Sequence, residues 1–257
     1  MKLSVTMLVG FFLFFAAAFA NAQEPFYTGK TVRLVVGFSA GGGFDVYSRT
    51  ISRHIGKHLP GNPNVIVENM TGAGSLVAAN HVFKVAKPDG LTIGNINGGI
   101  FMQQLLGWPG IEFDALKYEY IGVPVKDKSV CVMTKASGFT SFEKWMASKS
   151  PLKLGATGPG SATHNVPLIL KEALNLPIQL VSGYKGIADV RLAAESGELA
   201  GVCGWTWDSL KATWTGALES GEAIVVLQTV SQPIAVLPQR PRSRASSSTR
   251  AFTMSPI

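Results

Sequence analysis

The sequence predicts an α/β protein built as a clamshell of two lobes, each a sheet with flanking helices. Three observations predict this fold. From residue 31 onward, short runs rich in β-branched side chains alternate with segments of helical period, which is the pattern of parallel α/β architecture. Glycine, proline or aspartate stands at most of the joints between them. The alternation is interrupted once, over residues 118–128, where Gly122, Pro124 and a run of charges favour a crossing between two domains.

The first lobe is predicted to span residues 23–122. It opens with a buried strand, VRLVVGF, after which Tyr47, Ile51, Ile55 and Leu59 recur every four residues and predict an amphipathic helix. A PGNP sequence ends that helix. The predicted elements are a strand over residues 32–38, a helix over 45–59, a strand over 65–67, a helix over 75–85 and a strand over 91–93.

The second lobe, residues 123–230, continues the alternation, without an internal repeat clear enough to indicate duplication. Its predicted strands cover residues 130–134, 152–156, 178–181, 201–204 and 223–227. Its predicted helices cover residues 141–148, 163–174, 187–196 and 209–219.

The two terminal segments differ in composition from the rest. Residues 1–22 combine Lys2, an apolar run over residues 8–20 and the small-x-small sequence Ala20-Asn21-Ala22, which predicts a cleaved signal peptide. As a helix that run would span about 20 Å, less than the roughly 30 Å of a bilayer core. We therefore expect a soluble exported protein that begins near Gln23. Residues 231–257 are rich in Pro, Ser and Arg and are predicted to be disordered.

The charge balance excludes a polyanion-binding protein. The chain has 23 Lys and Arg against 16 Asp and Glu, but five of the bases lie in the terminal segments, which leaves 18 against 16 in the body. The four His and two Cys are scattered rather than spaced as in zinc sites. We expect no nucleic acid, metal or cofactor.

Cys131 and Cys203 lie 72 positions apart, on predicted strands of the second lobe. An exported protein can form disulfides, but spacing alone does not place two Cα atoms within bonding reach. We expect two buried, unpaired thiols, with a disulfide as the alternative.

A G-x-S-x-G sequence at residues 37–41 follows the first strand and precedes a helix, which is the context of a hydrolase nucleophile elbow. In that fold several strands precede the elbow, and a triad needs an acid and then a histidine downstream. Here the motif follows the first strand, and the only late histidine is His164. An exported serine hydrolase or esterase using Ser39 is therefore the alternative function, and we expect no enzyme activity.

Three predicted strands end in small residues that open a helix, at residues 39–43, 95–99 and 157–161. Such ends present free backbone N–H groups and the positive end of a helix dipole, which suit an anion such as a carboxylate. Glycine at each end also fits a tight turn without any ligand. If the three ends face one another across a cleft, the anion-binding interpretation is favoured.

Five segments together resemble one family: FSAGGGFD at residues 38–45, VIVENMTGAGSLVAAN at 65–80, AKPDGLTIG at 86–94, GATGPGSATHN at 155–165 and YKG at 184–186. In order and spacing they resemble the substrate-binding receptors of tripartite tricarboxylate transporters (TTT), also called the Bug family. The resemblance implies a periplasmic binding protein-like clamshell from a Gram-negative bacterium. It further implies a monomer that closes on a small organic carboxylate and delivers it to the integral-membrane permease subunits of the transporter.

In that family, the resemblance implies, backbone amides and bridging waters of the first strand–helix loop hold the ligand carboxylate, and the second lobe adds further contacts. The candidate ligand-binding residues are Phe38, Ser39, Ala40, Gly41, Gly42, Gly43, Asp45, Asn97, Thr157, Gly158, Ser161, Thr163, His164, Tyr184 and Asp208.

Several of these candidates have a structural alternative. Asp45 also fits the acidic first turn of a helix, and Ser161 fits a helix cap. His164 also fits a structural histidine bonded to backbone carbonyls. Trp205 and Trp207 could line the cleft, but core positions are expected for them.

The sequence departs from the family pattern in two places. Residues 181–184 read VSGY where the family has a VP-Y sequence before Lys-Gly. The family chain also continues beyond the position of Leu227 to complete the first lobe, whereas here residues 231–257 resemble a frame-shifted end. We expect such a truncated chain to expose apolar surface and to fold poorly or bind nothing.

Overall fold

The computed structural model describes residues 24–126, 128–229 and 234. The predicted signal peptide lies outside the described residues, as does the predicted tail apart from Ile234. Within the described part of the chain, no helix has the length and apolar character needed to cross a membrane.

The first sheet has three parallel strands in the order β2-β1-β3. The Val and Leu side chains of the central strand β1 are buried, as is typical of a strand in a parallel sheet. Since the strands are parallel, the loops that follow them lie at one edge of the sheet. The strands are β1 (Thr31–Val36), β2 (Asn64–Asn69) and β3 (Thr92–Asn95), and the helices are α1 (Gly43–Ile55), α2 (Leu76–Asn80) and α3 (Gly99–Leu105).

The second sheet has five strands in the order β6-β5-β7-β4-β8. Strand β5 runs parallel to β6 and β7, while β4 is antiparallel to both β7 and β8. The strands are β4 (Ser129–Thr134), β5 (Leu152–Ala156), β6 (Ile178–Ser182), β7 (Gly201–Thr206) and β8 (Ala223–Gln228), and the helices are α4 (Phe142–Met146), α5 (Ala162–Leu174), α6 (Ile187–Glu195) and α7 (Trp207–Ser220).

The eight predicted strands are confirmed, and the two-lobed α/β class is confirmed with them. The first predicted helix ends as α1 at Ile55 and continues as a 3-10 turn, Gly56–His58. The second begins with a turn, Ala73–Ser75, and continues after α2 as a π-helical turn, His81–Val85. Helix α3 begins at Gly99, where the small residues after the third strand predict the start of a helix, although no bounds were predicted for it.

One expectation about the second lobe was wrong. Strand alternation predicted an all-parallel arrangement, but β4 runs against its neighbours. The other four strands are each preceded by a helix that returns the chain to the same end of the sheet. Strand β4 enters from the crossing segment instead, so no returning helix sets its direction. The predicted domain boundary near residue 122 stays a prediction.

The cysteine expectation was also wrong. Cys131 and Cys203 are opposite each other in the register of β4 and β7, and a disulfide joins them. Sequence spacing could not reveal this pairing, because it depends on which strands become neighbours. Trp205 and Trp207 are buried in the core of the second lobe, as expected, and the Trp205 ring stacks on Trp214 at 5.5 Å.

Candidate ligand-binding site

The loop after β1 lies directly against the first turn of α6, so the two lobes touch at this point. The Ser39 amide donates to the Lys185 carbonyl at 3.1 Å, and Ser39 Oγ donates to Asp189 Oδ2 at 2.7 Å. Gly42 is required here, because a Cβ on it would lie 2.9 Å from Ile187 Cγ2. The first lobe thus contacts the second through main chain and a short polar side chain.

The beginning of α1 also meets the beginning of α7. A Cβ on Gly43 would overlap the Ser209 hydroxyl, so only glycine permits this approach. Trp205 Nε1 donates to Ser209 Oγ at 2.9 Å and fixes the orientation of that hydroxyl. Three helix N-termini, those of α1, α6 and α7, therefore converge on one interface between the lobes.

The amides of Ala40, Gly42 and Gly43 make no hydrogen bond to any described residue. They belong to the loop and the first turn of the 13-residue helix α1, where the helix dipole is positive. Ala40 is exposed, whereas Gly42 and Gly43 are buried against the second lobe. These N–H groups can bind a carboxylate without any charged side chain.

Asp45 shapes this loop rather than offering a free carboxylate. It is only 3% exposed and accepts hydrogen bonds from the Gly41 amide (3.0 Å), Arg49 Nε (2.9 Å) and Asn69 Nδ2 (3.0 Å). Burial raises the pKa of Asp45, but the hydrogen bonds from Arg49, Gly41 and Asn69 outweigh it and leave the pKa below its usual value. Asn69 Nδ2 also donates to the Phe38 carbonyl at 2.9 Å.

The loop after β3 makes the second contact between the lobes. Asn97 Nδ2 donates to the Gly160 carbonyl at 3.0 Å, and the Asn97 amide donates to Ser75 Oγ at 3.1 Å. Beside it, a Cβ on Gly74 would lie 2.8 Å from the Pro159 carbonyl oxygen. The three glycine-bearing ends at residues 39–43, 95–99 and 157–161 therefore all take part in the lobe interface.

Hydroxyl groups stabilise the loop of the second lobe. Ser161 caps α5 by accepting from the His164 amide at 3.3 Å, and its Oγ donates to the Gly158 carbonyl at 2.6 Å. Thr163 Oγ1 accepts from the Thr157 amide at 3.2 Å. The cap alternative for Ser161 is confirmed, and its hydroxyl hydrogen bonds within the loop.

Three other candidates bond outside this hydroxyl cluster. The His164 ring lies 3.3 Å from the side-chain oxygen of the next residue. The Tyr184 hydroxyl donates to Glu198 Oε1 at 2.7 Å, and burial together with this carboxylate raises the pKa of Tyr184 to about 12. Asp208 forms a half-exposed ion pair with Lys211 at 3.0 Å. Their predicted roles as ligand contacts stay predictions.

Sequence reasoning missed four residues of the interface: Ser75, Gln103, Asp189 and Ser209. Each of them contacts a residue far away in the chain, so no short sequence motif identifies it.

Across residues 24–126, 128–229 and 234, no group of three or more His, Cys, Asp or Glu side chains is placed to hold a metal ion.

Comparison with known proteins finds similarity in sequence to two proteins and in fold to several solved structures. No family model matches it. It is 26% identical over 227 residues to a UPF0065 protein in the TAR-I ttuE-ttuC' intergenic region of Agrobacterium vitis, covering 86% of this chain and 62% of that protein. It is 31% identical over 159 residues to a UPF0065 protein in the gbd 5'region of Cupriavidus necator, covering 59% and 43%. The chain thus spans less than two thirds of the length of each of these relatives.

Three solved structures share the fold. The periplasmic binding protein BugD has a TM-score of 0.61 at 21% identity, with 84% of this chain and 70% of that chain covered. An R. palustris protein with adipate has a TM-score of 0.61 at 21% identity, with 79% and 66% covered. MatC from Rhodopseudomonas palustris with bound malate has a TM-score of 0.62 at 22% identity, with 79% and 67% covered.

These comparisons confirm the resemblance drawn from the sequence segments. The chain is similar in sequence to two UPF0065 proteins and shares the two-lobed α/β fold of the solved periplasmic binding protein BugD and of MatC.

Proposed function

We propose that this protein is a periplasmic solute-binding receptor that captures a small organic carboxylate and delivers it to the permease subunits of a tripartite tricarboxylate-type transporter. The observation that carries the proposal is the convergence of three glycine-bearing loops on one interface, with the amides of Ala40, Gly42 and Gly43 unpaired among the described residues. Solved structures of the same fold contain adipate and malate, which supports a carboxylate ligand.

Ligand capture requires the two lobes to separate and close again. The described state is closed, because Ser39 bonds Asp189 and Asn97 bonds Gly160 across the interface. Opening breaks these contacts and exposes the α1 amides to solvent. A carboxylate that bridges the amides of α1 and groups of the second lobe then favours the closed state, because it binds that state more tightly.

A thermal-shift screen of small organic acids tests the proposal. A ligand that binds only the folded state adds about 2.7 kcal/mol of stability at one hundred times its Kd, which raises the melting temperature measurably. We expect at least one di- or hydroxycarboxylate to do so. A flat response to the whole panel, confirmed by calorimetric titration, would contradict the receptor function.

The hydrolase alternative uses the same serine, so one variant separates the two functions. Ser39 Oγ donates its hydrogen to the carboxylate of Asp189 rather than to an imidazole, which does not activate it as a nucleophile. We propose a non-enzymatic role. Under it, Ser39→Ala retains an acid-induced thermal shift because the loop amides remain. Ester cleavage by the wild-type chain that disappears in Ser39→Ala would favour the hydrolase.

A further inference from the structure

One buried polar side chain in the lobe interface has no partner. Gln103, on α3, is only 5% exposed, and its carboxamide keeps slight solvent contact but forms no hydrogen bond to a described residue. Its backbone carbonyl, by contrast, accepts from the Trp108 amide at 3.0 Å. The neighbouring Gln104 is satisfied, because its Oε1 accepts from the Ala115 amide at 2.9 Å.

The Gln103 carboxamide packs against Gly160, in the loop that precedes α5. A Cβ on Gly160 would lie 2.6 Å from Gln103 Nε2 and 3.1 Å from its Oε1, and Gly160 has a φ of +82° that favours glycine. The Gly160 carbonyl is held by Asn97 Nδ2. The unpaired amide is therefore directed at the N-terminal loop of a 13-residue helix, where the lobes meet.

A carboxamide offers two donors and an acceptor, and folded proteins seldom bury one without a partner. In the closed state most of the Gln103 side chain is buried, and only a small part of its surface reaches solvent. When the lobes close on a ligand, a polar group of that ligand can supply the missing hydrogen bonds.

We propose that Gln103 binds a second polar group of the ligand, and that it selects acids with a hydroxyl or second carboxyl group over simple monocarboxylates. The inference rests on the proposed function. The α1 amides follow β1, whereas Gln103 lies beyond the loop that follows β3. Strands β1 and β3 are parallel neighbours in the first sheet, so the loops that follow them leave the same edge side by side. A ligand that contacts both needs polar groups at two places.

Adipate and hexanoate make a matched pair of probes, because they have the same six-carbon chain and differ in the second carboxyl group. We expect the wild-type chain to prefer adipate. Gln103→Leu, which keeps a similar volume, should weaken adipate binding about tenfold or more and leave hexanoate within about twofold. Gln104→Leu is the control and should keep the wild-type preference.

Unfolding in urea without ligand provides an independent readout. Since the Gln103 amide is unpaired, Gln103→Leu should be as stable as the wild type or more stable, whereas Gln104→Leu should be less stable. Unchanged adipate affinity in Gln103→Leu, equal losses for both acids, or a stability loss as large as that of Gln104→Leu overturns this inference alone. A wild-type chain that binds no acid of the wider panel overturns the proposed function, and the inference with it.

Discussion

Gly98 and Gly99 provide a matched pair of substitutions that tests whether lobe contact and ligand binding are linked. A Cβ on Gly99 would overlap the Gly160 carbonyl oxygen, whereas one on Gly98 meets nothing within 4 Å. Gly98 is the N-cap of α3 and Gly99 is its first residue, so both substitutions act on the same end of the helix. Gly99→Ala therefore perturbs the interface, and Gly98→Ala serves as the control.

The expected magnitude follows from the contacts. A methyl group at Gly99 must push the loop of Gly160 away, which lengthens the 3.0 Å hydrogen bond from Asn97 Nδ2 beyond bonding distance. Losing that hydrogen bond costs about 0.5–1.5 kcal/mol, and overpacking a fitted contact adds about 1–3 kcal/mol. Together they destabilise the closed state by roughly 1.5–4.5 kcal/mol, which corresponds to about 10-fold or more in ligand affinity.

Calorimetric titration with the best acid of the thermal-shift screen measures this effect. We expect Gly98→Ala to bind within about twofold of the wild type and Gly99→Ala to bind at least about tenfold more weakly. Small-angle scattering of the ligand-free chains should show Gly99→Ala to be the more open. Equal affinities in the two variants would refute the link between this contact and ligand capture.

Three further predictions concern the carboxylate of Asp45, the disulfide and the half-buried Tyr184. Because the folded-state pKa of Asp45 is lowered, its contribution to stability is present above the unfolded pKa of about 3.9 and is lost as the pH falls through the folded pKa. Asp45→Asn should therefore destabilise the chain by about 1–3 kcal/mol at pH 7. Urea unfolding should show that the variant loses less stability than the wild type as the pH falls below about 4. Parallel plots of unfolding free energy against pH for the two chains would argue against this. Reducing the Cys131–Cys203 disulfide should lower the free energy of unfolding by about 2–4 kcal/mol, and a urea midpoint unchanged by reductant would contradict the pairing. Glu198→Gln should lower the pKa of Tyr184 from about 12, measured by phenolate absorbance, because the neighbouring negative charge is removed; an unchanged titration would leave burial as the sole cause.

Much of the local structure was predictable because it depends on neighbours in sequence. Strand β1 is a run of β-branched and aliphatic residues, and α1 repeats its apolar residues every four positions. Ser161 is the N-cap of α5, and its side chain accepts a hydrogen bond from the His164 amide, as is typical of serine at this position. The extent of α3 was not predictable in the same way, because its apolar pattern covers fewer than two full repeats.

The candidate site was predictable only in part. The loop at residues 39–43 was identified from its glycines and the family resemblance, and the structure places it at the lobe interface. Asp45 was chosen for its place beside that loop, but its carboxylate oxygens accept hydrogen bonds from Gly41, Arg49 and Asn69. The residue type predicted a polar role for Asp45. The hydrogen bonds that its carboxylate accepts show that this role is to hold the loop.

The sequence by itself determined the two-lobed α/β class, the strands and the glycine-bearing loops, because backbone preference and apolar periodicity act over a few residues. The tertiary structure decided the partners: Asp189 for Ser39, Cys203 for Cys131, and Gly160 for both Asn97 and Gln103. These pairs join residues 57 to 150 positions apart. Which of them meet depends on strand order, lobe closure and the space that glycine leaves, and none of these is encoded in any short segment.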